Sequence, residues 1–333
     1  MSTQAASVTA AATNGTVPYE LMTPGRPNLE IFADTLLQLA QANREIMVVT
    51  SDSRGSGKLV PFGKMLPDQI VEVGIAEQAL VGIAAGLASA GKHVYAVSPA
   101  CFLTARSLEQ IKNDVAYSDN RVKVIGISAG VSYGALGSTH HSLHDYAALQ
   151  AINNIDIVAP ADNFETAAVI QAAIDHPRPL YIRFGKRPML HLHRPETDFT
   201  IGKAIPLRGG HDVTFLAIGE PVSQAVQAAD QLATQGINAG VVSVHTLKPL
   251  DAELILDIAA QTAAIITVEE HSVYGGLGST VAQLLMERGA YRPFKVVGIP
   301  DEYTVTGSQE EIFGHYGITP AGLAETALTL LAR

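Results

Sequence analysis

A glutamate interrupts one of the most apolar stretches of this sequence. Residues 71–90 read VEVGIAEQALVGIAAGLASA, and small or aliphatic residues flank Glu77 on both sides. A carboxyl group in such surroundings either stays protonated or needs a dedicated partner, because burial disfavours its charged form. Either state suits a hydrogen bond to a heteroaromatic nitrogen. The alternative, a place on the polar face of an amphipathic helix, is disfavoured by these flanks.

Three histidines follow a glycine-rich turn in GALGSTHHSLHD, residues 134–145. Glycines beside a histidine let a ligand approach the backbone closely, which suits a binding site. His140 and His144 have the i, i+4 spacing of a zinc pair, but the glutamate of the zinc-protease pattern is missing between them. Histidines whose hydrogen bonds are satisfied within the fold are a third interpretation.

Two further segments contain glycines at positions typical of ligand sites. SDSRGSGK, residues 51–58, follows a predicted strand, and although it does not match the phosphate-loop pattern, the carboxyl ends of parallel strands are where α/β sheets bind ligands. GGLGST, residues 275–280, opens a predicted helix. Close packing of that helix explains its glycines as well as a dinucleotide site does.

Strand and helix patterns alternate around all of these residues. EIMVVTSD, HVYAVS and VKVIGIS are short runs rich in β-branched residues, and helical patterns such as IAEQALVGIAAGLASAG separate them. Strands that are apolar throughout are typical of a parallel sheet covered on both faces. The sequence therefore predicts an α/β fold with mostly parallel sheets.

A segment rich in proline and charge divides this alternation into two parts. We expect an N-terminal tail that is mobile at least in part, a first doubly wound domain, a linker and a second doubly wound domain. Their predicted bounds are 1–25, 26–190, 191–210 and 211–333.

The composition disfavours several classes of protein. Of the 333 residues, 47% are hydrophobic and 16% are charged, and the net charge of −10 argues against a nucleic-acid binder. The single cysteine, Cys101, excludes an intrachain disulfide framework and a multi-cysteine metal site. No apolar run of about 18 residues and no secretory signal pattern is visible, so we expect a cytoplasmic protein that does not contact membranes.

Three segments, in this order, resemble one family. EVGIAEQALVGIAAGLASAGKHVYAVSPACFL, GALGSTHH and VEEHSVYGGLGSTVAQ are similar to the C-terminal half of transketolases and 1-deoxy-xylulose-5-phosphate synthases. Those enzymes use thiamine diphosphate. The resemblance runs from about residue 27 to the C-terminus, and it implies a pyrimidine-binding domain followed by a transketolase C-terminal domain. It also implies transfer of a two-carbon ketol unit between sugar phosphates.

The resemblance implies a role for each residue at a matching position. Glu77 would hydrogen-bond N1′ of the cofactor's aminopyrimidine and so promote loss of the thiazolium C2 proton. Phe102 would pack against the pyrimidine, unless it is an ordinary core phenylalanine. Asp52 would lie near the cofactor. His140 would bind oxygens of the donor sugar and the developing alkoxide.

Two residues match positions that contact the phosphate of the sugar. Arg183, in YIRFGK, would hold it at the substrate channel, and its alternative role is a surface charge at the end of a strand. Ser56 is a second candidate for this contact.

The sequence departs from the family at three positions near the substrate. Leu136 stands four residues before His140, where the family commonly has an aspartate that recognises a donor hydroxyl. Ser128 and Ala129 stand where transketolases have a phosphate-contacting histidine and the synthases an arginine. The variant SYGALGSTHH, with leucine in place of that aspartate, resembles a subgroup that acts on unusual ketose phosphates such as apulose 4-phosphate.

One family motif is absent. The other half of these enzymes binds diphosphate and Mg²⁺ through a Gly-Asp-Gly motif followed by an Asn-Asn pair, and this sequence has no Gly-Asp-Gly. The resemblance therefore implies a split transketolase in which this chain supplies no metal ligand. An N-terminal-half partner would bind Mg²⁺, and the two chains would form an α2β2 heterotetramer.

Two other functions remain open at this point. The β-subunit of a 2-oxoacid dehydrogenase shares the two-domain plan. A catalytically degenerate partner or regulatory protein could keep the fold without the activity, although the retained Glu77 argues against it.

Overall fold

The computed structural model describes residues 22–194 and 196–332. Its strands are β1 (Pro24–Pro27), β2 (Ile46–Thr50), β3 (Ile70–Glu72), β4 (His93–Pro99), β5 (Lys123–Ile127), β6 (Asp156–Val158), β7 (Leu180–Phe184), β8 (Pro188–Leu190), β9 (Ile205–Arg208), β10 (Val213–Ala217), β11 (Ala239–Ser243), β12 (Thr246–Lys248), β13 (Ala264–Ser272) and β14 (Phe294–Ile299).

The helices fill most of the chain between these strands. They are α1 (Asn28–Ala42), α2 (Val60–Met65), α3 (Glu77–Ser89), α4 (Ala100–Arg106), α5 (Leu108–Gln110), α6 (Asp145–Gln150), α7 (Asn163–Ala172), α8 (Val222–Ala233), α9 (Ala252–Gln261), α10 (Leu277–Glu287), α11 (Gln309–His315) and α12 (Pro320–Leu331). A π-helical stretch, Ile111–Tyr117, continues α5. Within 22–194 and 196–332, no helix is both long and apolar enough to cross a membrane.

Two main sheets organise the two domains. The first has the order β12-β6-β7-β5-β4-β2-β3, and the second has the order β14-β13-β10-β11-β9. In the first sheet, every pair of neighbouring strands from β6 to β3 in this order is parallel. Its central strands are buried along most of their length, as their uninterrupted apolar runs predict. The prediction of two α/β domains with mostly parallel sheets is confirmed.

Both sheets end in antiparallel edge strands that the sequence analysis did not identify. β12 comes from the second half of the chain but pairs with β6 of the first sheet. β9 pairs with β11 and lies inside the segment expected to be a linker. A strand of three or four residues carries too little periodicity to be recognised without its pairing partner.

Only the last residues of the expected N-terminal tail are described. Residues 1–21 of the expected tail lie outside the described residues. The remainder runs into β1, which pairs antiparallel with β8. The first described element is therefore this strand rather than the first helix.

The parallel arrangement of the first sheet determines where the candidate residues lie. β2, β3, β4 and β5 all end at one edge of the sheet, and the segments that follow them carry the residues singled out above. This is the edge at which open α/β sheets bind their ligands.

Candidate active site

Glu77 is the first residue of α3, and its side chain is only 5% exposed. Both carboxylate oxygens accept hydrogen bonds from Nη1 of Arg106, at 3.0 and 3.2 Å. The start of a helix also favours a negative charge. The buried carboxylate therefore has the dedicated partner that its apolar surroundings require.

Phe102 connects this ion pair to His140. Arg106 lies one helical turn after Phe102 on α4, and its guanidinium carbon is 4.5 Å from the centroid of the Phe102 ring. On the other side, the centroids of Phe102 and His140 are 5.2 Å apart, with the rings edge to face. Three residues named from the sequence thus lie in one continuous series of contacts.

Two more side chains extend this series, and neither was identified from the sequence. The ring of Tyr133 lies 5.4 Å from that of His140, and the ammonium group of Lys186 lies 4.6 Å from the centroid of Tyr133. Arg106 was missed as well. Its i, i+4 spacing from Phe102 was the available signal, because residues with that spacing share a helix face.

The three neighbouring histidines have different environments. His140 is half-buried, and its Nδ1 lies 2.9 Å from the hydroxyl of Thr139. His141 is buried, its Nε2 donates to the carbonyl of Gly134 at 2.9 Å, and burial lowers its pKa. His144 instead contacts Thr104 through Nε2 at 3.2 Å. Among the described residues, no group of three or more His, Cys, Asp or Glu side chains is placed to hold a metal ion.

Asp52 and Ser56 are both exposed in the segment that follows β2. Asp52 has a left-handed backbone with φ of 52°, and its amide donates to Oε1 of Glu72 at 2.6 Å. Oε2 of Glu72 also accepts a hydrogen bond from the hydroxyl of Thr50 at 2.8 Å. Partial burial raises the pKa of Glu72, but these hydrogen bonds outweigh it and lower the pKa overall. Glu72 therefore fixes the backbone that presents Asp52.

The structure does not bring Arg183 into this group. Its side chain is 6% exposed, Nη1 donates to Oδ1 of Asp145 at 2.9 Å, and Nη2 donates to the carbonyl of Glu270 at 2.9 Å. The guanidinium also lies 4.4 Å from the ring centroid of Tyr146. An arginine enclosed by both domains in this way differs from the expected arginine at an open substrate channel.

Ser128 is likewise enclosed, whereas Leu136 is accessible. Ser128 is fully buried and has a φ of 53°. Leu136 ends a short 3-10 helix, Gly134–Leu136, and is 55% exposed in the same loop as His140. Of these two positions, only that of Leu136 lies where a bound molecule can meet it.

Large apolar side chains are exposed on α3 and on the segments that adjoin it. Ile75 precedes α3, Ile83 lies on α3, and Tyr117 ends the adjoining π-helical stretch. Contiguous exposed apolar groups are typical of a surface that binds another protein, and these three lie on α3 and the segments that adjoin it.

Comparison with known proteins identifies both domains. Residues 27–189 match the model of the transketolase pyrimidine-binding domain, and residues 202–323 match that of the transketolase C-terminal domain. The chain is 48% identical to one of the subunits of apulose-4-phosphate transketolase from Phocaeicola vulgatus over 303 residues, which cover 91% of this chain and 96% of that protein.

Two further relatives cover almost the whole chain. The 6-deoxy-6-sulfo-D-fructose transketolase subunit SqwH of a Clostridium species is 34% identical over 310 residues, which cover 93% of this chain and 96% of that protein. A solved structure described as a split gene transketolase, inactive beta4 tetramer, is 34% identical, with a TM-score of 0.83, and covers 92% of this chain and 99% of that one. The chain therefore belongs to the transketolase family, of which it carries the pyrimidine-binding and C-terminal domains.

Proposed function

We propose that this chain is the C-terminal-half subunit of a two-chain transketolase. With thiamine diphosphate, the assembled enzyme transfers a two-carbon ketol unit from a ketose phosphate to an aldose phosphate. The observation that carries the proposal is the contact series from Glu77 through Phe102 to His140, at the carboxyl edge of the first sheet. The family and the names of its relatives support the same reaction.

The residues present fit the pyrimidine side of thiamine diphosphate. A nearly buried carboxyl group at a helix start and a partly exposed aromatic ring lie together, as an aminopyrimidine requires. When bound, the cofactor supplies an electron sink at its thiazolium C2. Glu77 would hold a proton at N1′, and Phe102 would support the ring. Arg106, which is exposed on its outer side, would keep the carboxyl oriented until the pyrimidine arrives.

His140 would act on the sugar. Its ring lies between Phe102 and Tyr133, so one imidazole nitrogen can donate to the donor oxygen on which negative charge develops. Lys186 is the cation at the His140 end of the contact series, and we assign the sugar phosphate to it rather than to the enclosed Arg183. Ser56 and Asp52 are exposed at the same sheet edge and complete the candidate set.

The missing half of the site would come from a partner. Mg²⁺ and the diphosphate would be bound by an N-terminal-half chain that contains the Gly-Asp-Gly and Asn-Asn motifs. Ile75, Ile83 and Tyr117, which are exposed in the single chain, would be covered in the α2β2 assembly. The relatives named as subunits, and the similar structure described as inactive, support this requirement.

The donor would be a ketose phosphate other than the common straight-chain ones. The relative from Phocaeicola vulgatus is named for apulose 4-phosphate, and Leu136 removes a carboxylate that would recognise a donor hydroxyl. Product analysis tests the proposed reaction. The two-chain complex, supplied with a branched ketose phosphate and an aldose phosphate, should lengthen the aldose by two carbons. Turnover that requires a 2-oxoacid and a lipoyl acceptor would overturn the proposal.

A further inference from the structure

The segment between β5 and α6 carries two of the candidate substrate contacts, Leu136 and His140, and the Tyr133 ring that packs against His140. We call residues 128–142 the His140 loop, because it contains Tyr133, Leu136 and His140. The loop is closed at its base, where the amide of Ser142 donates to the carbonyl of Gly130 at 2.8 Å. The position of the loop relative to the first sheet thus depends on the contacts that hold this base and those that hold the tip, around Ser138.

The C-terminal domain contacts the His140 loop at both ends. At the base, the amide of Val131 donates to Oε1 of Glu270 at 2.8 Å. At the tip, the hydroxyls of Ser138 and Thr304 lie 2.8 Å apart. The backbones also approach closely between these points, because a Cβ on Gly134 would lie 2.6 Å from the carbonyl oxygen of Gly307.

The carboxyl group of Glu270 packs against the backbone at the base of this loop. Its side chain is 4% exposed at the carboxyl end of β13, and a Cβ on Gly130 would lie 2.2 Å from its carboxyl carbon. Gly130 also has a φ of 61°, so both space and backbone conformation require a glycine there. The carboxyl group therefore rests directly on the loop backbone.

The other polar groups around Glu270 hold its carboxyl in place. Nε2 of Gln309 donates to Oε1 of Glu270 and to Oε2 of Glu220, each at 2.7 Å. Nη2 of Arg183 lies 3.9 Å from Oε2 of Glu270. Burial and the neighbouring Glu220 raise the pKa of Glu270 to about 8, whereas Arg183 acts in the opposite direction.

We propose that Glu270 is a positioning residue through which the C-terminal domain fixes the His140 loop, and with it His140, against the first domain. Thr304 holds the tip of the same loop. The catalytic consequence rests on the proposed function, but the positioning does not. Glu77 and Phe102 lie on α3 and α4, outside the loop. Loss of Glu270 should therefore impair contacts with the sugar and spare activation of the cofactor.

Hydrogen–deuterium exchange of the full chain tests the positioning directly. In Glu270→Ala, peptides from the His140 loop should exchange about tenfold faster or more, because the Val131 amide loses its acceptor. Glu270→Gln keeps an acceptor oxygen and should restore protection to within about threefold of wild type. Thr304→Val, which removes a hydroxyl at nearly constant volume, should accelerate exchange around Ser138 alone.

Glu269→Gln is the matched control. Glu269 is also buried on β13 and accepts two backbone hydrogen bonds, from Leu277 and Gly278 at 2.8 Å each, but both donors lie in its own domain. Its exchange defect should stay near the start of α10. Unchanged exchange of the His140 loop in Glu270→Ala would overturn the proposal. Equal acceleration of that loop by Glu269→Gln would also overturn it.

A kinetic measurement separates this proposal from the proposed function. In the two-chain complex, Glu270→Ala should lower kcat/KM for ketol transfer about tenfold or more and leave exchange of the cofactor C2 proton at the wild-type rate. Equal loss of both rates would show a general structural defect and contradict the positioning role. If the wild-type complex transfers no ketol unit, the proposed function fails, and the exchange experiment still decides the positioning claim.

Discussion

At the residue scale, the central feature is a buried carboxylate whose ion-pair partner is half exposed. Glu77 is enclosed, but Arg106 reaches it from the surface and lies across Phe102. A buried ion pair contributes little net stability, because desolvation offsets most of the attraction. The arrangement is therefore better suited to keeping a functional carboxyl group oriented than to stabilising the fold.

Glu77→Gln should abolish exchange of the cofactor C2 proton in the two-chain complex. Glutamine keeps the size of the side chain but cannot exchange a proton with N1′, and loss of such a group typically lowers a rate by about 10²–10⁴. NMR of the C2 proton in deuterium oxide measures the rate of this exchange. Arg106→Gln is the control, because it breaks the same ion pair and keeps the carboxyl group. Its exchange should be at least about tenfold faster than that of Glu77→Gln, and equal rates would refute the assigned role.

Leu136→Asp should shift donor preference toward xylulose 5-phosphate. A donor hydroxyl that is buried against leucine stays unpaired, which costs roughly 1–3 kcal/mol, or about tenfold to 150-fold in preference. The ratio of kcat/KM for xylulose 5-phosphate to that for a branched ketose phosphate measures the effect. If the wild-type enzyme already prefers xylulose 5-phosphate and the variant does not change the ratio, Leu136 has no part in specificity.

At the scale of the elements, the parallel strands and their order along the chain could be predicted, and the contacts between distant segments could not. The apolar runs of β2, β4 and β5 identify buried strands. Because parallel strands end at the same edge of the sheet, the segments after β3 and β4, which carry Glu77 and Phe102, lie near each other. The burial of Arg183 depends on Asp145 and on the carbonyl of Glu270, which only the folded chain brings to it. A strand-end arginine looks the same in sequence whether it faces solvent or a second domain.

The expected linker begins with another contact of this kind. Nδ1 of His193 lies 3.0 Å from Oδ2 of Asp162, and its Nε2 lies 3.2 Å from Oε1 of Glu165. Burial alone would lower the pKa of His193, but Glu165 and Asp162 outweigh it and raise the pKa to about 10. A charged histidine thus ties the segment after β8 to the first turn of α7.

His193→Asn should lower the free energy of unfolding by about 3–5 kcal/mol, because two buried carboxylates lose their counter-charge. Urea unfolding at neutral pH measures the change. His191→Asn alters an exposed histidine two residues away and should leave the midpoint nearly unchanged. Equal midpoints for the two variants would contradict the assigned role of the buried pair.

At the scale of the whole molecule, the domains meet across a group of buried carboxyls. Glu220 and Glu270 share the amide of Gln309, and burial raises the pKa of each. For Glu270 the folded value of about 8 exceeds the ordinary value of 4.5, so the folded protein retains a proton that the unfolded chain releases. Its contribution to stability is therefore full below pH 4.5 and is lost as the pH rises through about 8.

Glu270→Gln should consequently flatten the decline in stability between about pH 5 and pH 9. Urea unfolding of wild type and variant across this range gives the difference in stability, in which the titration of groups remote from Glu270 cancels. Glu310→Gln, which changes an exposed glutamate on α11, should follow the wild-type profile. Parallel profiles for Glu270→Gln and wild type would show that the carboxyl does not titrate in this window.

The most direct test of the central claim is ketol transfer by each chain separately and by their mixture. The assay contains thiamine diphosphate, Mg²⁺, a ketose phosphate donor and an aldose phosphate acceptor, with this chain and an N-terminal-half transketolase chain from the same source. We expect no activity from this chain alone, because it supplies the pyrimidine side of the site, and full activity from the equimolar mixture. Full activity from the rigorously purified single chain would contradict the account, and so would a stable two-chain complex that transfers no ketol unit.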